Sequence, residues 1–302
     1  MLEPAVIAVR LLQYLGAMVL FGSSLFFVYA RSLAGPPRGA RALVAVAGAI
    51  LAIAALLSIA AQASLFAGSF AEGLTAPSIG AVIAWMPLGK AALVRALAAA
   101  AGVAAVALSP RARPAWPLVA AFGAVAAASL AWMGHGGATE GPLGWAQLIA
   151  DMLHALAAAA WLGALAAFAL LLAARDRSPP AVDALYRALH GFSGIGTGLV
   201  AVLGATGLVN GWVLVGPAHL GGMIGTPYGR LLSLKLVLFA AMLALAARNR
   251  FRLTPVLAIA RAGDPSAALG GLRRSVLLEA GLGLAVLALV AWLGTLAPPA
   301  AA

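Results

Sequence analysis

Eight stretches of about 20 or more apolar residues dominate this chain, at roughly 5–30, 41–66, 88–109, 115–133, 147–174, 189–215, 230–248 and 274–296. Each suits the ~30 Å hydrocarbon core of a bilayer. Backbone N–H and C=O groups find no water there, so only helices and closed barrels can cross. The stretches lack the alternation of lipid-facing barrel strands. The fold class that follows is all-α: a polytopic membrane protein with eight transmembrane helices, read as one integral membrane domain over residues 1–302. Composition agrees, because only 9% of the residues are charged against 64% hydrophobic. A water-soluble domain carries about 25% charged residues. The opening "MLEPAVIAVRLLQYLGAMVLFG" has neither a basic start nor an A-x-A cleavage pattern, and reads as a retained first span.

Turn formers separate the apolar stretches: "GPPRG" at 35–39, "SPRARP" at 109–114, "RSPPA" at 177–181 and "GTPYG" at 225–229. Charge then orients the chain. The regions around 31–41, 111–113, 175–187 and 248–274 hold 14 of the 19 basic residues. The alternate regions 67–90, 134–147 and 216–230 hold only Lys90 and Arg230. The positive-inside rule places the Arg-rich regions in the cytoplasm and both termini outside. The net charge of +11 thus reads as topology, and no nucleic-acid partner is expected.

The chain also repeats itself. "PLGKAALVR" (87–95) matches "PYGRLLSLK" (227–235), and "AWMG" (131–134) matches "AWLG" (291–294). "SIAAQASLFAG" (58–68) runs parallel to "TGLVNGWVLVG" (206–216), setting Gln62 against Asn210. An even number of spans per half makes this a four-plus-four parallel repeat, with halves of about 1–140 and 141–302. The chemistry of the halves differs: His135 aligns with Thr295, and His154 with Gln13.

Polar residues inside such spans are functional candidates by default. In "DMLHALAAAAWLG" (151–163), Asp151, His154 and Trp161 fall within an arc of roughly 80° on one helix face. His135 ends span four in "WMGHGG", so two imidazoles approach one depth on the outer side. Imidazole with few carboxylates suits a copper ion, as Cu(I) or Cu(II). Asp151 either ligates the metal or holds the His154 ring in its metal-binding tautomer. The alternative is a packed His154 bonded to a carbonyl and a partly wet Asp151. Trp161 closes the stripe by packing on another helix. Met133, near His135, and Met223, which shares a loop with His219, are soft thioether candidates or apolar filler. Gln62, Asn210, Thr206 and Ser193 are polar stepping stones for an inner path, and Met18 and Met242 read as relay or packing. His190 opens span six at the cytoplasmic side, where it bonds lipid or a loop carbonyl. Glu279 reads as the partner of Arg273 and Arg274 one turn before it.

The chain has no Cys, which excludes disulfides, thiolate metal sites and iron–sulfur clusters. It shows no P-loop, kinase motif or nucleophile elbow, and no enzyme is expected. A haem held between His135 and His154 is the rival from another class, with a Soret band as its signature. A third reading is a structural subunit that binds neither.

Several stretches, taken together, resemble the CopD copper-homeostasis membrane proteins. They are "MGH" ending at His135; D-x-x-H-x6-W-x-G as Asp151, His154, Trp161 and Gly163; "FS" at Phe192–Ser193; "TPYGRLLSLK" at 226–235; "NRFRLTP" at 249–255; and "LRRSVLLE" ending at Glu279. The resemblance implies an eight-span, multi-pass protein of the bacterial inner membrane that handles periplasmic copper. It also implies cooperation with a small periplasmic copper-binding protein of the CopC type. Many relatives carry His where this chain has Gln13, which leaves Gln13 a hydrogen-bonding role beside a ligand His. The leading expectation is copper-ion transport through an outer site on His135 and His154, helped by Asp151, Met133, His219 or Met223. A copper-binding sensor or delivery platform without transport is its variant.

Overall fold

The computed structural model describes residues 3–30, 33, 37, 39–109, 115–134, 141–174 and 176–301. Among these residues, eight helices are long and apolar enough to cross a membrane. In order, spans one to eight are Pro4–Tyr29, Ala40–Ala67, Pro87–Leu108, Ala115–Met133, Leu143–Ala173, Pro179–Leu214, Pro227–Ala260 and Ser266–Leu293. No strand occurs among the described residues. Eight crossings return the chain to the side on which it starts. The ends of the helices are therefore called the terminal end and the Arg-rich end.

The apolar stretches predict the spans well but misplace three boundaries at the Arg-rich end. Span six starts at Pro179, and span seven continues to Ala260 through a π-helical turn at Asn249–Leu253. Span eight already starts at Ser266, so the stretch 248–274, expected as a loop, is mostly helix. Hydropathy reports where side chains leave hydrocarbon, whereas the backbone ladder continues wherever the residues are good helix formers. Long Arg side chains can reach back to water from such extensions. At the terminal end, the stretch 67–90 holds two further short helices, Phe70–Gly73 and Ala76–Trp85.

Local chemistry sets the helix starts. Pro87, Pro179 and Pro227 occupy first helical positions, where the missing N–H removes no ladder bond. Thr226 caps span seven, its hydroxyl accepting from the Gly229 N–H at 3.0 Å. Outside the spans, the Asp176 carboxylate accepts the Ser178 N–H at 2.9 Å, and this backbone bond lowers its pKa. Asp264 is lowered by Ser266, through its hydroxyl first and its backbone N–H second. Both contribute to the turns above the ordinary carboxylate pKa and lose that contribution as pH falls through the folded value.

Span one runs through the middle of the molecule and contacts spans two, four, five and eight. Its π-helical segment Met18–Ser23 lies against span five. There Gly22 and Gly163 let two backbones touch: a Cβ on Gly163 would stand 2.4 Å from the Gly22 carbonyl carbon. The Ser23 hydroxyl donates to the Gly163 carbonyl at 2.8 Å across the same contact. Small residues permit such close approach in membranes, where packing and hydrogen bonds drive association. Gly163→Ala is expected to push the helices apart and destabilise the fold by about 1–3 kcal/mol. Thermal unfolding in detergent against wild type checks this.

The packing order is alike in the two halves up to a point. Span one packs on two, two on three and three on four, and four closes back on one. Span five packs on six, seven on eight, and eight closes back on five. Spans six and seven, however, approach each other closely only through the segment 249–260 at the Arg-rich end. They bury only 11% and 6% of their most apolar windows, whereas span five buries 56%. Spans six and seven thus pack mainly on spans five and eight rather than on each other.

Candidate metal centre

Two cross-helix hydrogen bonds build the site on the antiparallel spans five and six. Asp151 and His154 stand one turn apart on span five, and Thr206 and Asn210 one turn apart on span six. The Asn210 side-chain amide donates to Asp151 Oδ1 at 2.6 Å. One turn deeper, His154 Nδ1 meets Thr206 Oγ1 at 2.9 Å.

The second contact favours one tautomer. Thr206 has one hydroxyl proton, and it donates that proton to the Val202 carbonyl of its own helix at 2.6 Å. Its oxygen therefore accepts from His154, which places the imidazole proton on Nδ1. Nε2 keeps its lone pair, as a metal-binding imidazole must. Among the described residues nothing hydrogen-bonds to Nε2. Gly207 lies beside the ring, where a Cβ would make ordinary contact with His154 Cε1 at 3.9 Å.

Lys235 of span seven is within electrostatic reach of both Asp151 and His154, and forms no ion pair within 4.0 Å among the described residues. Its charge opposes a metal cation at His154, and the Asp151 carboxylate offsets it. The buried acceptor Asn210 Oδ1 has no partner among the described residues. The site thus offers one imidazole nitrogen, one carboxylate and one amide oxygen. No group of three or more His, Cys, Asp or Glu side chains able to hold a metal occurs among the described residues. His135, expected as the second imidazole, lies outside them.

Other residues expected at this site stand elsewhere. Gln13 and Met133 belong to a second polar centre in the first half of the chain. There the fully buried Arg95 guanidinium donates to Gln13 Oε1, to Met133 Sδ at 2.8 Å and to the Ser129 hydroxyl and carbonyl at 3.0 and 2.6 Å. Gln13 Oε1 is bonded to Arg95, and the Met133 lone pair serves the same cation. His219 is exposed, with Nδ1 on the Val215 carbonyl at 3.0 Å. Met223 packs against the small cluster of Val215, Tyr228 and Leu293.

Trp161 packs against spans seven and eight. Its indole N–H donates to Glu279 Oε1 at 2.9 Å, and its ring meets Phe239 edge-on. Glu279 in turn accepts from the Asn249 amide at 2.9 Å and forms no ion pair with Arg273 or Arg274, against the sequence reading. The reason is helical phase. Glu279 faces inward at 2% exposure, whereas both arginines face outward.

Of the expected path residues, Thr206 and Asn210 are in the site itself. Met18 and Met242 are buried in two different core clusters. Gln62 is on span two, which packs within the first half. The Ser193 carbonyl accepts from Arg250 at 3.3 Å near the Arg-rich end. Sequence reasoning missed the Arg95 centre and the Trp161–Glu279–Asn249 group. Their only signal was the presence of Arg, Glu and Asn inside or beside apolar stretches.

Comparison with known proteins adds the family. A family model described as "Copper resistance protein D-like, N-terminal domain" matches residues 1–145, and one described as "Copper resistance protein D" matches residues 186–293. Copper resistance protein D of Pseudomonas syringae pv. tomato is 38% identical over 306 residues, covering 98% of this chain and 97% of that protein. The chain belongs to the copper resistance protein D family. No solved structure matches it. In this member of the copper resistance protein D family, Asp151, His154 and Trp161 fall between the two matched regions, in a stretch that the full-length relative spans.

Proposed function

We propose that this protein carries copper ions across the bacterial inner membrane, taking them up from the side of its termini. The observation that carries this reading is the His154–Thr206 bond, which leaves Nε2 as a free donor inside a transmembrane helix. His154 binds the ion, Asp151 supplies the compensating negative charge, and His135 is the second imidazole. The positive-inside pattern supports a periplasmic position for this end, and a CopC-like periplasmic protein is the donor this reading expects. Copper is the cargo, and no enzymatic step is needed. In this reading the chain is a four-plus-four repeat whose second half carries Asp151 and His154, while Arg95 fills the polar centre of the first.

The test is copper uptake by vesicles containing wild type, His135→Ala or His154→Ala. Both variants are expected to fall to the level of empty vesicles. Uptake equal to wild type in His154→Ala would remove the site. A Soret band in purified protein would favour haem instead.

A further inference from the structure

Glu279 is a carboxyl group in the interior of the helix bundle, 2% exposed, that the site above does not use. Its two hydrogen-bond partners, the Trp161 indole and the Asn249 amide, are neutral. Trp161 stands two turns below His154 on span five, about 10 Å further along the axis. Asn249 sits where span seven changes from α to π geometry, a distortion frequent at functional positions. One turn from Glu279 towards the Arg-rich end, Ser275 is 1% exposed and its hydroxyl has no partner among the described residues. Asn249 Oδ1 is likewise buried and unpartnered there. Polar groups therefore continue from the buried carboxyl towards the Arg-rich surface.

The charges around Glu279 are those of the elements packed on span eight. Span one brings Arg10 and Tyr14, and span five brings Asp151 and His154. Span seven brings Lys235 and Arg248, and its π turn brings Arg252 and Arg250, the latter donating to Thr197 at 2.5 Å. Arg273 and Arg274 are on the same helix as Glu279. None makes an ion pair with Glu279 within 4.0 Å among the described residues. The outer carboxylate has Lys235 within electrostatic reach, whereas the inner one is held by two neutral hydrogen-bond donors. A lone carboxylate in low dielectric is strongly disfavoured against its neutral form.

We propose that Glu279 binds a proton when the copper path is empty and gives it up when a copper ion moves inward from His154, keeping the buried region neutral in both states. The inference rests on the transport reading above and adds a proton to it. One proton leaves the carboxyl for each monovalent ion that arrives, and it departs past Asn249 and Ser275 to water at the Arg-rich end. No bond other than the O–H is broken. Glu279→Gln is neutral in both states and cannot take part.

The experiment is infrared difference spectroscopy of the purified full chain titrated with Cu(I). Wild type is expected to lose a protonated-carboxyl band as copper binds and to release about one proton per ion to a pH dye. Glu279→Gln is expected to lack that band change while still binding an ion through His154, which also reports a folded chain. Asp151→Asn is expected to keep the band. In proteoliposomes, wild-type uptake is expected to slow as the compartment at the Arg-rich end is acidified, because the carboxyl then stays protonated. Glu279→Gln uptake is expected to be at least about tenfold slower and insensitive to that pH. The same band change in Glu279→Gln, or none in wild type on copper binding, overturns the proposal. So does wild-type uptake with wild-type pH dependence in the variant. Unaltered uptake in His154→Ala, with the Glu279 band change intact, instead removes the outer site and leaves the proton site standing.

Discussion

Replacing His154 by Ala is expected to abolish saturable copper binding while the helices stay assembled. The two outcomes separate because Thr206 already gives its proton to Val202, so losing the imidazole leaves no unbonded donor on span six. The fold loses one neutral hydrogen bond, worth about 1 kcal/mol. Binding loses its only described imidazole. A companion variant tests the tautomer argument. Thr206→Val keeps the shape of the side chain but cannot accept from Nδ1, and copper affinity is expected to fall about 10–100-fold. His219→Ala is expected to bind as wild type, since that ring is exposed and bonded to its own helix. Equilibrium titration of the three purified variants with a competing Cu(I) chelator checks the set. Wild-type affinity in Thr206→Val would show that the hydroxyl does not hold the ring.

Arg95→Ala is expected to cost about 1–3 kcal/mol of stability for each buried acceptor it leaves without a donor. The guanidinium is fully buried and joins spans one, three and four through Gln13, Ser129 and Met133. Without it, Gln13 Oε1 and the Ser129 carbonyl lose their donor, and a cavity remains. Arg95→Lys is expected to recover only part of the loss, because one ammonium cannot reproduce a planar fork that reaches three side chains. Thermal unfolding in detergent, with copper binding measured below the transition, gives both numbers. Wild-type stability in Arg95→Ala would mean that the buried cation does not hold the first half together.

The residues that were legible in advance were those whose chemistry clashes with hydrocarbon. Asp151 and His154 stood out because an ionisable pair one turn apart is rare in an apolar helix, and the structure gives each a partner on span six. Thr206 and Asn210 were visible only as polar residues, since nothing in their own segment says which helix they face. Gln13 and Met133 were legible as polar and thioether groups, but nothing local to them pointed to Arg95 as their partner. Trp161 shares a face with His154 but lies two turns deeper, opposite Glu279. Depth along a helix follows from residue number; the neighbour at that depth does not.

What the amino-acid sequence determined by itself is the number of spans and the positions of most of their ends. Those depend on local quantities: the length of an apolar run, the presence of Pro and Gly, and the distribution of Arg. Only the tertiary structure decided that Arg95 fills the polar centre of the first half, that spans six and seven meet mainly at the Arg-rich end, and that Glu279 meets Trp161 rather than an arginine. These depend on how far each helix is rotated about its axis, which close contacts such as Gly22 against Gly163 impose once the helices are assembled.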